Sequence, residues 1–330
     1  MKRTIISLFV ALLATVTVQA QQIAVVSGST TTMYQTLAEA IGGATDGCTI
    51  YLPGGGFQIA DETKITKQVT IIGIGHKSQS ENADGNTVIS GNINYAEGSD
   101  GSSIMGCYIS GDVVIGVGGD TGTTVNNILI KYCNLHGIQV KSKTCSGTIV
   151  NQNYIRSESN FALSQVTINN NICGAITDIE GGIITNNIVA NRNSNKGIYS
   201  APLVRVNNSS ISNNVFFVNN PYDGGFSVSS GGNAATNNMG QDNWGDDPIN
   251  IGSDAWKEIF VNYNEGKITP ASDFHFTENY QKYSGIGIYG GTGFSDSGMA
   301  PVPFIEAKDI PDKTDAAGML KIKVRVKASE

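Results

Sequence analysis

Short apolar runs of β type recur along this chain, and five of them end on an asparagine that stands directly before another apolar residue. They are Ile149-Val150-Asn151-Gln152-Asn153-Tyr154, Ile168-Asn169-Asn170-Asn171-Ile172, Ile183-Ile184-Thr185-Asn186-Asn187-Ile188, Ile211-Ser212-Asn213-Asn214-Val215 and Thr236-Asn237-Asn238-Met239. Anchored on Asn153, Asn171, Asn187, Asn214 and Asn238, the steps are 18, 16, 27 and 24 residues. Repeats of that length in short strands predict an all-β solenoid, a parallel β-helix. A coil must turn sharply between strands, and a corner residue in the left-handed region favours asparagine among non-glycine residues. Its amide carries both donor and acceptor, so asparagines stacked at the strand spacing of about 4.8 Å can bond into a ladder. The five are therefore expected to be structural.

The flanking segments complete the outline. Tyr34 to Ile41 has apolar residues at helical spacing and stops at Gly42-Gly43, which predicts a short helix plugging the N-terminal end of the solenoid. Gly47–Gly54, Lys67–Gly73 and Asn86–Gly91 each read as a short β run closed by a turn residue. Ser253–Phe260 reads as one or two helical turns, with Trp256 as a packing residue, and Asp273-Phe274-His275-Phe276 as a short strand. In the tail, Leu320 to Lys327 alternates apolar and basic residues, the pattern of a half-buried strand. That strand is expected to cover the C-terminal edge of the solenoid, or alternatively to pair with another protein.

The first residues change the setting. Met1-Lys2-Arg3, an apolar stretch from Ile5 to Val18, and Val18-Gln19-Ala20 before Gln21 read as a secretory signal peptide cut after Ala20. Its apolar part is short and dotted with Ser7, Thr15 and Thr17, so no membrane span is expected in the mature chain. The division expected is 1–20 signal peptide, 21–300 solenoid with its N-terminal cap, and 301–330 tail. The product is expected to be secreted or held at the cell surface. Losing Lys2 and Arg3 takes the formal net charge from −7 to −9, which speaks against a nucleic-acid partner. Cys107, Cys133 and Cys173 sit among alternating apolar residues and are expected in the core; with Cys48 and Cys145 present, one disulfide stays open as an alternative. Gly at 40 residues against Pro at 8 suits many tight turns.

Asp46-Gly47-Cys48-Thr49-Ile50-Tyr51-Leu52-Pro53-Gly54 after a helix, then Val69-Thr70-Ile71-Ile72-Gly73, resembles the opening of pectin-lyase-like right-handed parallel β-helix proteins. Ile286-Gly287-Ile288-Tyr289-Gly290-Gly291 resembles the closing segment of exported members, so the resemblance runs to about residue 292. It implies a right-handed coil and, for members that are enzymes, a groove on the outer face of one parallel sheet. The superfamily mixes lyases, glycosidases, esterases and non-catalytic binders, so it does not choose an activity.

Two constellations carry possible chemistry. Asn220-Pro221-Tyr222-Asp223-Gly224 followed by Gly245-Asp246-Asp247-Pro248 is similar to the acidic elements of polygalacturonase-like glycosidases. Asp223, Asp246 and Asp247 could then serve an inverting hydrolysis, one acid and one base across the bond. Tyr222 replaces the family's threonine, the later Gly-His-Gly and Arg-Ile-Lys elements are missing, and His275 does not stand in for them; acids beside Gly and Pro are also ordinary turn residues. Lys141-Ser142 with Arg156 resembles the base residues of alginate and chondroitin lyases, which often add Ca²⁺ to neutralise the sugar carboxylate. Here the later arginine element and an acidic calcium cluster are absent, and solvated surface charge is the plainer reading. Gly285-Ile286-Gly287-Ile288-Tyr289-Gly290 matches G-x-G-x-x-G but opens no helix, and Pro53-Gly54-Gly55-Gly56 lacks the Lys of a phosphate loop. His76 and His136 stand far apart with no triad partners, and no Cys/His spacing suggests zinc.

The expectation is an exported β-helix protein that binds polysaccharide or a cell-surface glycan without catalysis, with Tyr154, Tyr199, Tyr222 and Trp244 as candidates for stacking on sugar rings. No cofactor is expected, and calcium only for a lyase. The alternatives are a lyase or glycosidase on an acidic glycan, which should gather Asp223, Asp246 and Asp247, or Lys141 and Arg156, in one groove; and an assembly subunit that uses strand 320–327.

Overall fold

The computed structural model describes residues 22–77, 85–118, 122–157, 159–162, 165–190, 192–193, 198–199, 202–217, 231–240, 245–251, 256–263, 272–296, 298–311, 313–314 and 317–328. The signal-peptide reading of residues 1–20 lies outside them, as do Tyr222, Asp223 and Trp244.

The described chain is mostly β, in three long sheets. Sheet A has eleven strands, sheet B ten and sheet C seven. The chain visits them in rotation: Ser103–Met105 in A, Tyr108–Ile109 in B, Val113–Val117 in C, then Leu129–Lys131 in A again. Each strand pairs in parallel with its equivalent one coil away, as in Leu129↔Ile149, Tyr108↔Asn134 and Val113↔Ile138. Alternation then decides the faces. Ile104, Ile130 and Val150 in A, Ile109 and Leu135 in B, and Val113 and Ile138 in C all point into one continuous core. No helix among the described residues is long and apolar enough to cross a membrane.

The N-terminal helix is Leu37–Gly43; Tyr34 closes the preceding strand, Thr30–Tyr34. The start is set by Thr36, whose hydroxyl accepts from the Glu39 N–H while the Glu39 carboxylate accepts from the Thr36 N–H, a capping box that excludes the residues before it. Leu37, Ala40 and Ile41 enter the core. The first edge of sheet A is covered by a hairpin instead, because Ile23–Ser27 pairs antiparallel with Cys48–Leu52 and carries Thr30–Tyr34 on its far side.

A second apolar cluster lies outside sheet B. Ile172, Ile188, Val215 and Met239 point outward there and are covered by Phe217, Phe260, Tyr263, Phe274, Phe276, Ile286 and Ile288. Phe260 and Phe274 meet edge to face at 5.4 Å between centroids. Residues 285–300 then run back along the coils: the Gly287 N–H donates to Asn213 O, and Met299 and Ala300 lie against Gly75 and Gly106. The tail therefore starts beside early coils, not at the C-terminal edge. Among the described residues Lys323–Ala328 pairs only with Pro303–Asp309, in a separate two-stranded sheet where Val324 and Val326 are 51% and 60% exposed. The expected edge-covering strand is thus an exposed hairpin. All five cysteines are buried thiols and no disulfide forms.

Candidate functional site in the groove of sheet C

The outer face of sheet C carries one row of side chains in register: Lys64, Asn94, Val114, Gln139, Asn160, Thr177 and Val204. Their sequence neighbours face the core, so strand period alone places them outside. Across three coils of this row opens a cavity of about 400 Å³, lined by Asn92, Asn94, Asp112, Gln139 and Lys141, with Gly118 and Gly122 at its rim.

One hydrogen-bonded chain runs through it. Lys141 Nζ donates to Gln139 Oε1 at 2.6 Å, and Gln139 Nε2 donates to Asp112 Oδ2 at 2.6 Å. Asp112 Oδ1 stands 2.7 Å from His136 Nδ1. An ionised carboxylate only accepts, so Nδ1 carries the proton and Nε2 is the basic nitrogen. The pair is uneven in exposure, His136 at 54% and Asp112 at 16%. Asn92 Oδ1 accepts from the Asp112 N–H, and Asn92 Nδ2 donates to Asp61. Farther along, Arg205 grips Asp178 with two N–H groups, and this hydrogen bonding, ahead of simple charge attraction, holds that carboxyl below its ordinary range.

Of the residues singled out in the sequence, Lys141 lines this cavity and Arg156 does not join it. Arg156 lies over the Tyr108 ring at 4.6 Å and donates to Tyr108 Oη and to the Ile109 and Ser110 carbonyls. A guanidinium so committed packs the corner between sheets B and C. Asp246 and Asp247 sit elsewhere, exposed just before Ile249–Asn250 of sheet B and one coil beyond Ala234–Thr236 of sheet A, where Asp246 bridges in parallel to Thr236. Asp246 continues the backbone pairing there, and Asp247 has φ +49°. Tyr154 is on the outer face of sheet B, partly buried against the second cluster. Tyr199 belongs to the strand Ile198–Tyr199, and its side chain lies outside the description. No group of three or more His, Cys, Asp or Glu able to hold a metal occurs among the described residues.

Asp112, Gln139 and Asn92 are additions to the sequence reading, which named His136 only to set a triad aside. Their signal is a glycine at each turn into sheet C, in Gly91-Asn92-Ile93-Asn94, Gly111-Asp112-Val113 and Gly137-Ile138-Gln139. No family model, curated protein or solved structure matches the chain.

Proposed function

We propose that the protein is an exported, right-handed parallel β-helix of the pectin-lyase-like kind that binds an extended glycan along the outer face of sheet C without cleaving it. The observation that carries this reading is the row Lys64, Asn94, Gln139, Asn160 and Thr177, interrupted by Val114, in register beside a cavity of about 400 Å³. The amides and hydroxyls both donate and accept and the ammonium donates, as sugar hydroxyls require, and their spacing is fixed by the sheet rather than by a loop. Against catalysis, Asp112 and Asp178 are held by His136, Gln139 and Arg205, Lys141 and Arg156 are separated, and Asp246 and Asp247 lie at another corner.

Residues 21–330 should be retained on an immobilised polysaccharide, and Gln139→Ala with Asn160→Ala should weaken retention by roughly tenfold, the loss of two good hydrogen bonds. Thr167→Ala, on the outer face of sheet A, should leave it unchanged. Equal retention by both variants, or unsaturated product or new reducing ends in the same samples, would overturn the reading. A second reading, an assembly subunit, is favoured by the exposed tail hairpin. Deleting residues 318–330 should then abolish assembly and leave the solenoid folded.

A further inference from the structure

We propose that the tail hairpin lays its apolar face across the outer face of sheet A of a second copy of this chain. The inference goes beyond glycan binding and rests on the assembly reading above, to which it gives a partner and a surface. Register sorts the hairpin into two faces. Val326 lies opposite Ile305 and Val324 opposite Lys308, so these share one side, with Ile322 next in the alternation. Lys323, Arg325 and Lys327 take the other side. An isolated two-stranded sheet is marginally stable at best in water and gains stability by packing an apolar face. Here that face lies open, with Ile310, Met319, Leu320, Ile322, Val324 and Val326 all exposed.

A matching surface lies on the same molecule. Eleven large apolar side chains are exposed among the described residues; six are in the tail, and Met33, Tyr51, Ile149 and Ile183 are on the outer face of sheet A. Lys131 is the one charged residue at the outward positions of that sheet's nine parallel strands, from Cys48–Leu52 to Ala234–Thr236. So little charge is the composition of an interface core. Leu129, Ile149, Thr167 and Ile183 form a row on successive coils, about 14 Å from end to end at the strand spacing. Ile322 to Val326 covers about 13 Å along its own strand. Crossed near a right angle, one of the two usual ways that sheets pack, the two runs coincide.

Charge favours this pairing over hairpin against hairpin. Residues 320–328 carry four basic side chains and no acid, whereas residues 21–300 hold 13 basic against 23 acidic residues, a net of −10. Two basic strands repel, while the hairpin is drawn to the body of another copy. Within one chain Val324, Val326, Ile149 and Ile183 all stay exposed, so both surfaces are left for a second copy. Exchange in both directions closes a two-fold dimer.

The test is sedimentation equilibrium of the mature chain, residues 21–330, over a range of concentrations, where a dimer is expected. Val324→Lys with Val326→Lys, and separately Ile149→Lys with Ile183→Lys, alter only exposed side chains. Each pair should weaken association roughly tenfold or more with an unchanged circular dichroism spectrum. An equimolar mixture of the two variants should associate again, more weakly than the parent, because the intact hairpin of one meets the intact sheet of the other. Association lost with only one variant or with neither, or no recovery in the mixture, overturns this contact; where the hairpin variant alone fails, the assembly reading still stands. A mature chain that stays monomeric throughout removes both. Neither variant alters the sheet C groove, so glycan retention by the same samples reports that reading independently.

Discussion

At the corner from sheet A to sheet B two adjacent residues divide the work. Asn153, Asn171, Asn187, Asn214 and Asn238 are fully buried. The left-handed residues are the ones before them: Gln152, Asn170, Asn186, Asn213 and Asn237, with φ between 53° and 58°. The expectation of left-handed ladder asparagines is therefore displaced by one, since a residue whose amide must reach inward cannot also be the one that reverses the chain. Asn171 Oδ1 accepts from the Asn153 N–H at 2.9 Å and from Asn153 Nδ2 at 3.0 Å, and the same pair of bonds repeats down to Asn238. Cys133 continues the column upward: its N–H donates to Asn153 Oδ1, and its Sγ lies 3.2 Å from Lys131 O, the place that Asn153 Nδ2 takes at Asn151 O. Asn171→Ala would leave the buried Asn153 N–H without its partner and take one donor each from the Val150 and Asn169 carbonyls. It should lower stability by about 3 kcal/mol, read as a drop in the urea midpoint. Burial pushes the Cys133 and Cys173 thiols up to about 12, and raises that of Cys107 as well. The folded chain should therefore resist a thiol reagent at neutral pH and react fully in denaturant; rapid labelling of the native protein would contradict this.

Among the elements, the least expected is the stretch 285–300, which clasps the coils through their corner amides. Asn186 Nδ2 donates to Gly285 O and Gly287 O, Asn170 Nδ2 donates to Ile288 O and Gly290 O, and Gln152 Oε1 accepts from the Ser295 N–H. The left-handed asparagines thus hold a strap as well as a turn. A side chain at Gly290 would collide with Gly285 O and the Asn186 amide. Gly290→Ala should lift the strap, so limited proteolysis should cut within 285–300 while residues of the asparagine column stay protected; an unchanged digest would count against the clasp. The sequence showed the repeating strands because their spacing is local. It could not show the strap, whose bonds join residues more than 90 positions apart. Nor could it show the groove: Gln139 and Asp112 meet only after parallel register is set, and a one-residue slip would turn the whole row inward. Lys141 was recognised from a local Lys-Ser pair and lies in the groove, but for a different set of neighbours.

For the whole molecule, acid is the condition that should separate its parts. His76 is buried, neither ring nitrogen has a hydrogen-bond partner, and Gly298 of the strap packs directly on the ring. Burial, with Lys77 beside it, lowers its pKa to about 4. Lys77 is itself lowered by burial and partly restored by Asp296 on the strap, whose carboxylate accepts from Tyr289 Oη at 2.7 Å. The sign follows from where the proton prefers to be. An unfolded chain binds it near pH 6.5 and the folded chain only near pH 4, so protonation favours unfolding. The stability tied to neutral His76 is complete above about pH 6.5, falls as the pH drops, and is lost below about pH 4, a change of about 3 kcal/mol. The charge would appear under the strap's far end, so the strap should open before the coils do. At about pH 4.5, urea unfolding should begin earlier than at pH 7, and cleavage between 285 and 300 should rise well before the asparagine column is exposed. His76→Phe fills the same space with a ring that cannot titrate, and since neither nitrogen is bonded it should cost little at neutral pH. It should also remove that part of the acid sensitivity; if the variant opens in acid as readily as the parent chain, the trigger lies elsewhere.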